Sequence, residues 1–322
     1  MSEVTARGVD TRGTAADFQL RIATAPVNWN NDDLPDWRVH TPFPRILDVM
    51  REAGYSATEF GANFPADPTS LQRALSERSM ELCGAYQWLP LRAHSCLAQR
   101  LNELDAMFAT LQACGCNHLI IADELTPERV ALAGHVPGDG SKSLDSHQYR
   151  DLAHGVAVTA EHADRFGLRT HVHNHVGTYV ETPDEVAALA VEMDPGVADF
   201  CFDTGHYAYG SGDPVQFVQQ YPHRIGYLHL KDVDAKVLAA AKMNAWSFLA
   251  ALRQVIFCRF GEGVVDIPAI INTLTQSSFD GWIVVEQDTC RGDSTEMAAD
   301  NLAYLIDYCG SRRNATPSGV HQ

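Results

Sequence analysis

The sequence predicts a single-domain α/β protein of the closed (β/α)8 type, a TIM barrel. Three observations carry that expectation. Eight short, β-rich apolar runs recur along the 322 residues. Helix-like stretches separate them, so successive runs should pair in parallel through right-handed crossovers. The last four runs each close in polar side chains, and a barrel builds its site where the strands end and the βα loops begin.

In chain order the runs are "FQLRIATAP" (18–26), "YSATEFG" (55–61), "MELCGAYQWL" (80–89), "NHLIIADE" (117–124), "LRTHVHNH" (168–175), "ADFCFDTGH" (198–206), "RIGYLHLKD" (224–232) and "GWIVVEQD" (281–288). Helical patterning fills the gaps, as in "PFPRILDVMREAGY", "AQRLNELDAMFATLQACGC", "YRDLAHGVAVTAEHADRFGL", "TPDEVAALAVEM" and "DIPAIINTLTQSSF". Several of these end in Gly just before the next strand, the usual helix stop. "TPDE" at 182–185 opens a helix with a Thr cap, a Pro and two acids, which suits the cap and the macrodipole. After the first run, "TAPVNWNNDD" lacks the glycine-rich phosphate fingerprint, which weakens a doubly wound alternative. The barrel is expected over residues 18–309, with a helical insertion at about 234–260. Residues 1–17 and 310–322 read as flexible ends.

Composition narrows the function. A 45% hydrophobic share supports a large core, and 24 Lys+Arg against 41 Asp+Glu give a net charge of −17. That charge argues against nucleic acid and against an anionic membrane as partner, and favours a metal or a neutral small molecule. No run reaches the roughly 18 apolar residues of a membrane span, and the polar N-terminus shows no secretory h-region. Eight scattered cysteines read as free thiols of a cytoplasmic protein. Cys114 and Cys116 form the only close pair, and no second pair completes a metal site with them.

The strand ends carry the chemistry. His171, His173 and His175 alternate, so a strand would turn all three to one face. The four last runs end in His173 or His175, Asp203 with His206, His229, and Glu286. Imidazole and carboxylate together suit a borderline divalent ion, and one ligand per strand leaves positions open for substrate. Each residue alone has an ordinary reading: His229 as a core histidine, Asp203 as a turn or cap, Glu286 as an ion-pair partner. All four at one end of consecutive strands favour a metal.

The chain resembles the xylose isomerase-like barrel superfamily of sugar isomerases, epimerases and dehydratases, and within it the inosose (2-keto-myo-inositol) dehydratases. The likeness spans about residues 20–308, through "IATAPVNWNNDDLP", "YSATEFGANFP", "HVHNHVGTYVET", "FDTGHYAYGSGDP", "YLHLKDV" and "SFLAALRQVIFCRFGEGVVDIPAI". The superfamily's metal ligands are Glu, Asp, His and Glu. The resemblance places the last three on Asp203, His229 and Glu286. The first falls on His173, because "HNH" stands where the superfamily has Glu-Asn-His. His175 is the fallback ligand, and His171, deeper on the strand, supports a ligand from behind or packs in the core. Superfamily epimerases use two ligand glutamates as acid and base, so the His173 departure favours a one-sided elimination of water.

The resemblance implies one divalent metal, Mn2+ or Co2+ first, with Mg2+, Fe2+ and Zn2+ compatible. A small polyhydroxylated keto substrate would bind through its ketone and a neighbouring hydroxyl, pass through an enediolate and lose a β-hydroxyl as water. Glu286 is the candidate base and His206 the proton shuttle. Lys231 either binds a hydroxyl and supports the enediolate or pairs with Asp203 or Glu286. Glu59 either binds substrate or orients a ligand. Asn28, Trp29 and Trp88 are expected at the mouth as an aromatic wall with one amide, with plain packing as the other reading for the tryptophans. The insertion is a lid, a subunit contact or core, and a homodimer or tetramer is implied. An isomerase or epimerase of a ketose or inosose, or a 3-keto-glycoside eliminase, is the alternative activity.

Overall fold

A computed structural model of the chain describes residues 12–15 and 18–315. Eight parallel strands form the barrel: β1 (Phe18–Thr24), β2 (Ala57–Phe60), β3 (Glu81–Leu89), β4 (His118–Asp123), β5 (Arg169–His173), β6 (Asp199–Asp203), β7 (Ile225–Leu230) and β8 (Trp282–Val285). Hydrogen bonding runs in the order β1-β8-β7-β6-β5-β4-β3-β2, and β2 returns to β1 through Thr24 opposite Thr58. Each expected run is thus a strand, trimmed where polar residues turn into the loops.

Helices cover the outside. In His94–Ala113, Leu97, Leu101, Leu104, Phe108 and Leu111 are buried; their three- and four-residue spacing makes one apolar stripe against the sheet. Burying each such side chain contributes about 1.5–3 kcal/mol. Inside the barrel a smaller core of Ala23, Cys83, Ile120, Cys201, Tyr227 and Val284 fills the space. It needs Gly84 on β3, because a Cβ there would come within 2.6 Å of the Tyr227 hydroxyl.

Cap chemistry fixes where helices start. Thr182 and Glu185 form a reciprocal capping box at Pro183–Glu192, and Asp145 with Gln148 forms another at Ser146–Asp164. Beyond the helical stretches quoted above, the structure adds five helices, Pro68–Ser76, Pro127–Leu132, Thr204–Tyr209, Pro214–Gln220 and Ser294–Ala315. The insertion after β7 holds helices Ala235–Asn244 and Phe248–Arg253, closed by Phe257–Cys258 pairing antiparallel with Asp232–Val233.

Both ends differ from expectation. Within the segment read as a flexible N-terminus, Arg12–Ala15 pairs antiparallel with residues 18–21 of β1. β1 meets β2 at a single register position, so its lower backbone would otherwise be an open edge. At the other end the helix Ser294–Ala315 runs past the expected boundary at 310; the remaining tail and residues 1–11 lie outside the described residues. Among the described residues no helix is long and apolar enough to cross a membrane.

Candidate active site

Strand register brings the expected residues together. Asp203 closes β6 and faces His229 on β7; Glu286 follows β8 directly, and its N–H donates to Leu230 O. Asp203 is locked by its neighbours. Its Oδ1 accepts the His206 N–H at 2.7 Å, capping the helix Thr204–Tyr209, while its own N–H donates to Asn174 Oδ1 at 2.8 Å. Oδ2 is left for the site: Lys231 Nζ lies 2.8 Å away, His173 Nε2 3.3 Å and His229 Nδ1 3.9 Å.

Lys231 ties the carboxylates to one another. Its Nζ is 2.6 Å from Glu286 Oε2 and 3.3 Å from Asp288 Oδ1, with the lysine only 3% exposed. Burial opposes the charge, yet the facing carboxylates hold the ammonium's pKa well above the ordinary lysine value. Burial would likewise raise Asp203 and Glu286, but Lys231 and the neighbouring histidines hold both below the ordinary carboxylate range. Asp288 goes the other way: burial pushes its carboxyl up, and Lys231 only partly compensates.

The histidines divide into two groups. His229 Nε2 donates to Glu59 Oε1, 2.9 Å away, and the ring turns Nδ1 to within 3.1 Å of Glu286 Oε2. A carboxylate behind a histidine is the arrangement that fixes the ring of a metal ligand. Burial works against protonation of His229, but Cys201 and the Glu286 and Glu59 carboxylates hold its pKa well above the ordinary imidazole value. His173 is pushed by burial to about 4, so it is the neutral ring that metals bind. The Nδ1 atoms of His173 and His206 are buried without a hydrogen-bond partner. Orphaned imidazole nitrogens beside ionised carboxylates fit a divalent cation, and two donor groups, His173–Asp203–His206 and Glu59–His229–Glu286, are close enough to hold one.

These side chains open on a cavity of about 380 Å³ at the C-terminal end of the barrel, where such a fold places its chemistry. Trp88 and Tyr86 on β3 wall the side facing His175 and His173, with ring centroids 4.8 and 5.3 Å apart respectively. Residues 47–308 match the family described as xylose isomerase-like TIM barrel. The chain belongs to that family. The inosose dehydratase of Geobacillus kaustophilus is 31% identical over 84% of this chain and 87% of its own. Among solved structures, the probable 3-DHS dehydratase AsbF of Bacillus anthracis aligns with a TM-score of 0.66 at 13% identity, covering 89% of this chain and 98% of that one. An L-ribulose 3-epimerase aligns with a TM-score of 0.66 at 17% identity, over 94% and 99% of the two chains.

In this xylose isomerase-like barrel, Glu59, Trp88, His173, His175, His206, His229, Lys231 and Glu286 all line the cavity, whereas Asp203 sits behind Lys231 and His173. Two expectations are corrected. A 3-10 turn, Pro26–Asn28, directs Asn28 away from the cavity: its Nδ2 donates to Thr24 Oγ1 and Val285 O, and its Oδ1 accepts from Gln287 N–H. Asn28 therefore staples β1 to β8. Trp29 is core, with its indole N–H given to Thr295 Oγ1 at 3.1 Å. His175 lies past the end of β5, its Nδ1 2.7 Å from Val176 O, and its ring stands 3.8 Å from that of His206. His171 is fully buried between Asp199 and His118, a core role. The sequence reading passed over Asp33, Tyr86, Arg100 and Asp288, which also line the cavity. Tyr86 and Asp288 each lie two residues from a named residue on the same strand or its extension, a period-two signal that could have found them.

Proposed function

We propose that this protein is a metal-dependent dehydratase of a keto-inositol or related cyclic keto-sugar. The observation that carries the reading is the convergence of His173, Asp203, His229 and Glu286 beside one cavity, with the Nδ1 atoms of His173 and His206 left unpartnered. The activity of the 31% identical relative, inosose dehydratase, supports the substrate class. A cavity of about 380 Å³ fits a six-carbon ring with its hydroxyls.

His173, Asp203, His229 and Glu286 would hold one Mn2+ or Co2+ ion. When bound, that ion supplies Lewis acidity to a ketone oxygen and makes the adjacent C–H more acidic. Glu286, kept ionised by His229 and Lys231, takes that proton. Glu286 then gives that proton to the β-hydroxyl, the C–O bond breaks and water leaves; His206, neutral because burial and nearby positive charge push its pKa well down, holds the departing hydroxyl by a hydrogen bond. Lys231 faces the developing negative charge from the same wall. Glu59 holds the His229 ring through Nε2. The β5 wall offers imidazoles where a second carboxylate base would stand, which favours elimination over two-sided epimerisation. Cys83, Cys96, Cys114, Cys116, Cys201, Cys258 and Cys290 are free thiols, in keeping with a reducing, cytoplasmic setting.

Turnover of 2-keto-myo-inositol in D2O, followed by proton NMR, separates the readings. A dehydratase loses water and yields a dione. An epimerase instead returns an inosose of inverted configuration carrying deuterium beside the carbonyl, and that result would replace the proposal.

A further inference from the structure

The oxygen-rich site has a sulfur beneath it. Cys201 lies two residues before Asp203 on β6, so both side chains point to the same interior face. The register sets Cys201 beside His173 of β5. The thiol is fully buried, and one donor atom each from His173, Cys201 and His229 lies within 4.8 Å of the other two. The Nδ1 atom of His173 is buried and unpartnered, while that of His229 faces Glu286 Oε2 at 3.1 Å. Asp203, one layer higher, contacts the same two imidazoles.

We propose that His173, Cys201 and His229 form a second, deeper metal seat that selects thiophilic d10 ions such as Zn2+ or Cd2+. Two seats then share two imidazoles, so they cannot be filled together. Mn2+ and Mg2+ prefer the carboxylate-rich upper seat, and soft or borderline ions gain a thiolate in the lower one. Tetrahedral zinc, with Zn–S about 2.3 Å and Zn–N about 2.0–2.1 Å, needs donors roughly 3.5 Å apart. The three donors lie within 4.8 Å of one another, a spread that tilts of the two rings can bring to that geometry. The thiol proton leaves to solvent as the sulfur binds. An ion in the lower seat draws His173 and His229 away from Asp203 and Glu286, which makes zinc and cadmium inhibitors rather than activators. The inference concerns metal choice and stands whatever the substrate is.

The test is spectroscopic and needs no turnover. Cd2+ added to the metal-free protein should give a thiolate-to-cadmium charge-transfer band in the ultraviolet. Cys201→Ser should lose that band and weaken Zn2+ binding by about 10–100-fold, while Mn2+ affinity, read by electron paramagnetic resonance, stays within a few-fold. Zinc X-ray absorption on the unmutated protein supplies a check independent of any variant, and should show one sulfur at about 2.3 Å. A zinc shell of nitrogen and oxygen alone, or a cadmium band that persists in Cys201→Ser, overturns the lower seat and leaves the upper one standing.

Discussion

Lys231 Nζ stands 2.6 Å from Glu286 Oε2, both side chains buried at the floor of the cavity. The ammonium touches the carboxylate oxygens that a metal would use, on Asp203 as well as Glu286. It therefore keeps two buried carboxylates together when no divalent ion is bound, and Asp288, 3.3 Å away, gives it a second partner to turn toward.

Lys231→Met should destabilise the metal-free protein by about 3–5 kcal/mol, the usual consequence of leaving buried carboxylates unpaired. Saturating Mn2+ should restore much of that loss, because the ion neutralises the same oxygens. Thermal denaturation of both proteins, with and without Mn2+, reads the difference. Equal destabilisation in both conditions would mean that lysine and metal do not share those oxygens.

Arg129 is fully buried, with Nη2 2.9 Å from Glu185 Oε2 and 3.6 Å from Glu181 Oε2. Glu181 in turn accepts the Gly177 and Gly134 N–H groups, each at 2.6 Å, and so fixes the loop after His175. Arg129→Met is expected to cost about 3–5 kcal/mol and to raise KM more than it lowers kcat. Hydrogen exchange at the Gly177 amide should accelerate; unchanged protection there would sever the loop from the ion pair.

Tyr86 presents a buried hydroxyl without a hydrogen-bond partner and lines the cavity beside His173. A substrate hydroxyl is the natural partner. Tyr86→Phe should lower kcat/KM by about fivefold, the worth of one neutral hydrogen bond of roughly 1 kcal/mol. Steady-state kinetics with no change beyond error would show that the hydroxyl does not meet the substrate.

His118 is held near 3, mainly by burial and then by His171 and nearby arginines. Its folded pKa lies below the unfolded value of about 6.5, so the unfolded chain binds the extra proton. Stability contributed by the neutral ring is present above pH 6.5 and drains away as pH falls toward 3, by up to about 1.4 kcal/mol per pH unit. His118→Gln should flatten that slope between pH 6.5 and 4 in urea titrations, whatever its effect at neutral pH. A slope identical to that of the parent would place the acid sensitivity elsewhere.

The barrel was legible because its signal is local: each run of apolar β-formers is followed by a helix with its own cap. The ends of strands five to eight were legible for the same reason, since period-two alternation tells which residues share a face. Trp29 and Asn28 were not. A 3-10 turn after β1 reverses which side they face, and nothing in "APVNWN" announces it. Arg12–Ala15 was missed because its partner is an edge left open by barrel closure, a property of the assembled sheet. Lys231 could be placed on the right wall from spacing alone, but only the folded chain shows three carboxylates meeting its ammonium.

The central claim is that these strand ends hold a metal that drives loss of water from a keto-inositol. The most direct measurement mixes purified protein of known metal content with 2-keto-myo-inositol, with and without Mn2+ or Co2+, in a diode-array spectrophotometer. A metal-dependent rise in the near ultraviolet from the enol of the dione is expected. It should vanish in Asp203→Asn, which keeps an oxygen to cap the Thr204–Tyr209 helix but loses the charge. A metal-loaded, folded protein that gives no rise would contradict the dehydratase reading, and a rise that survives both chelation and Asp203→Asn would contradict the metal site.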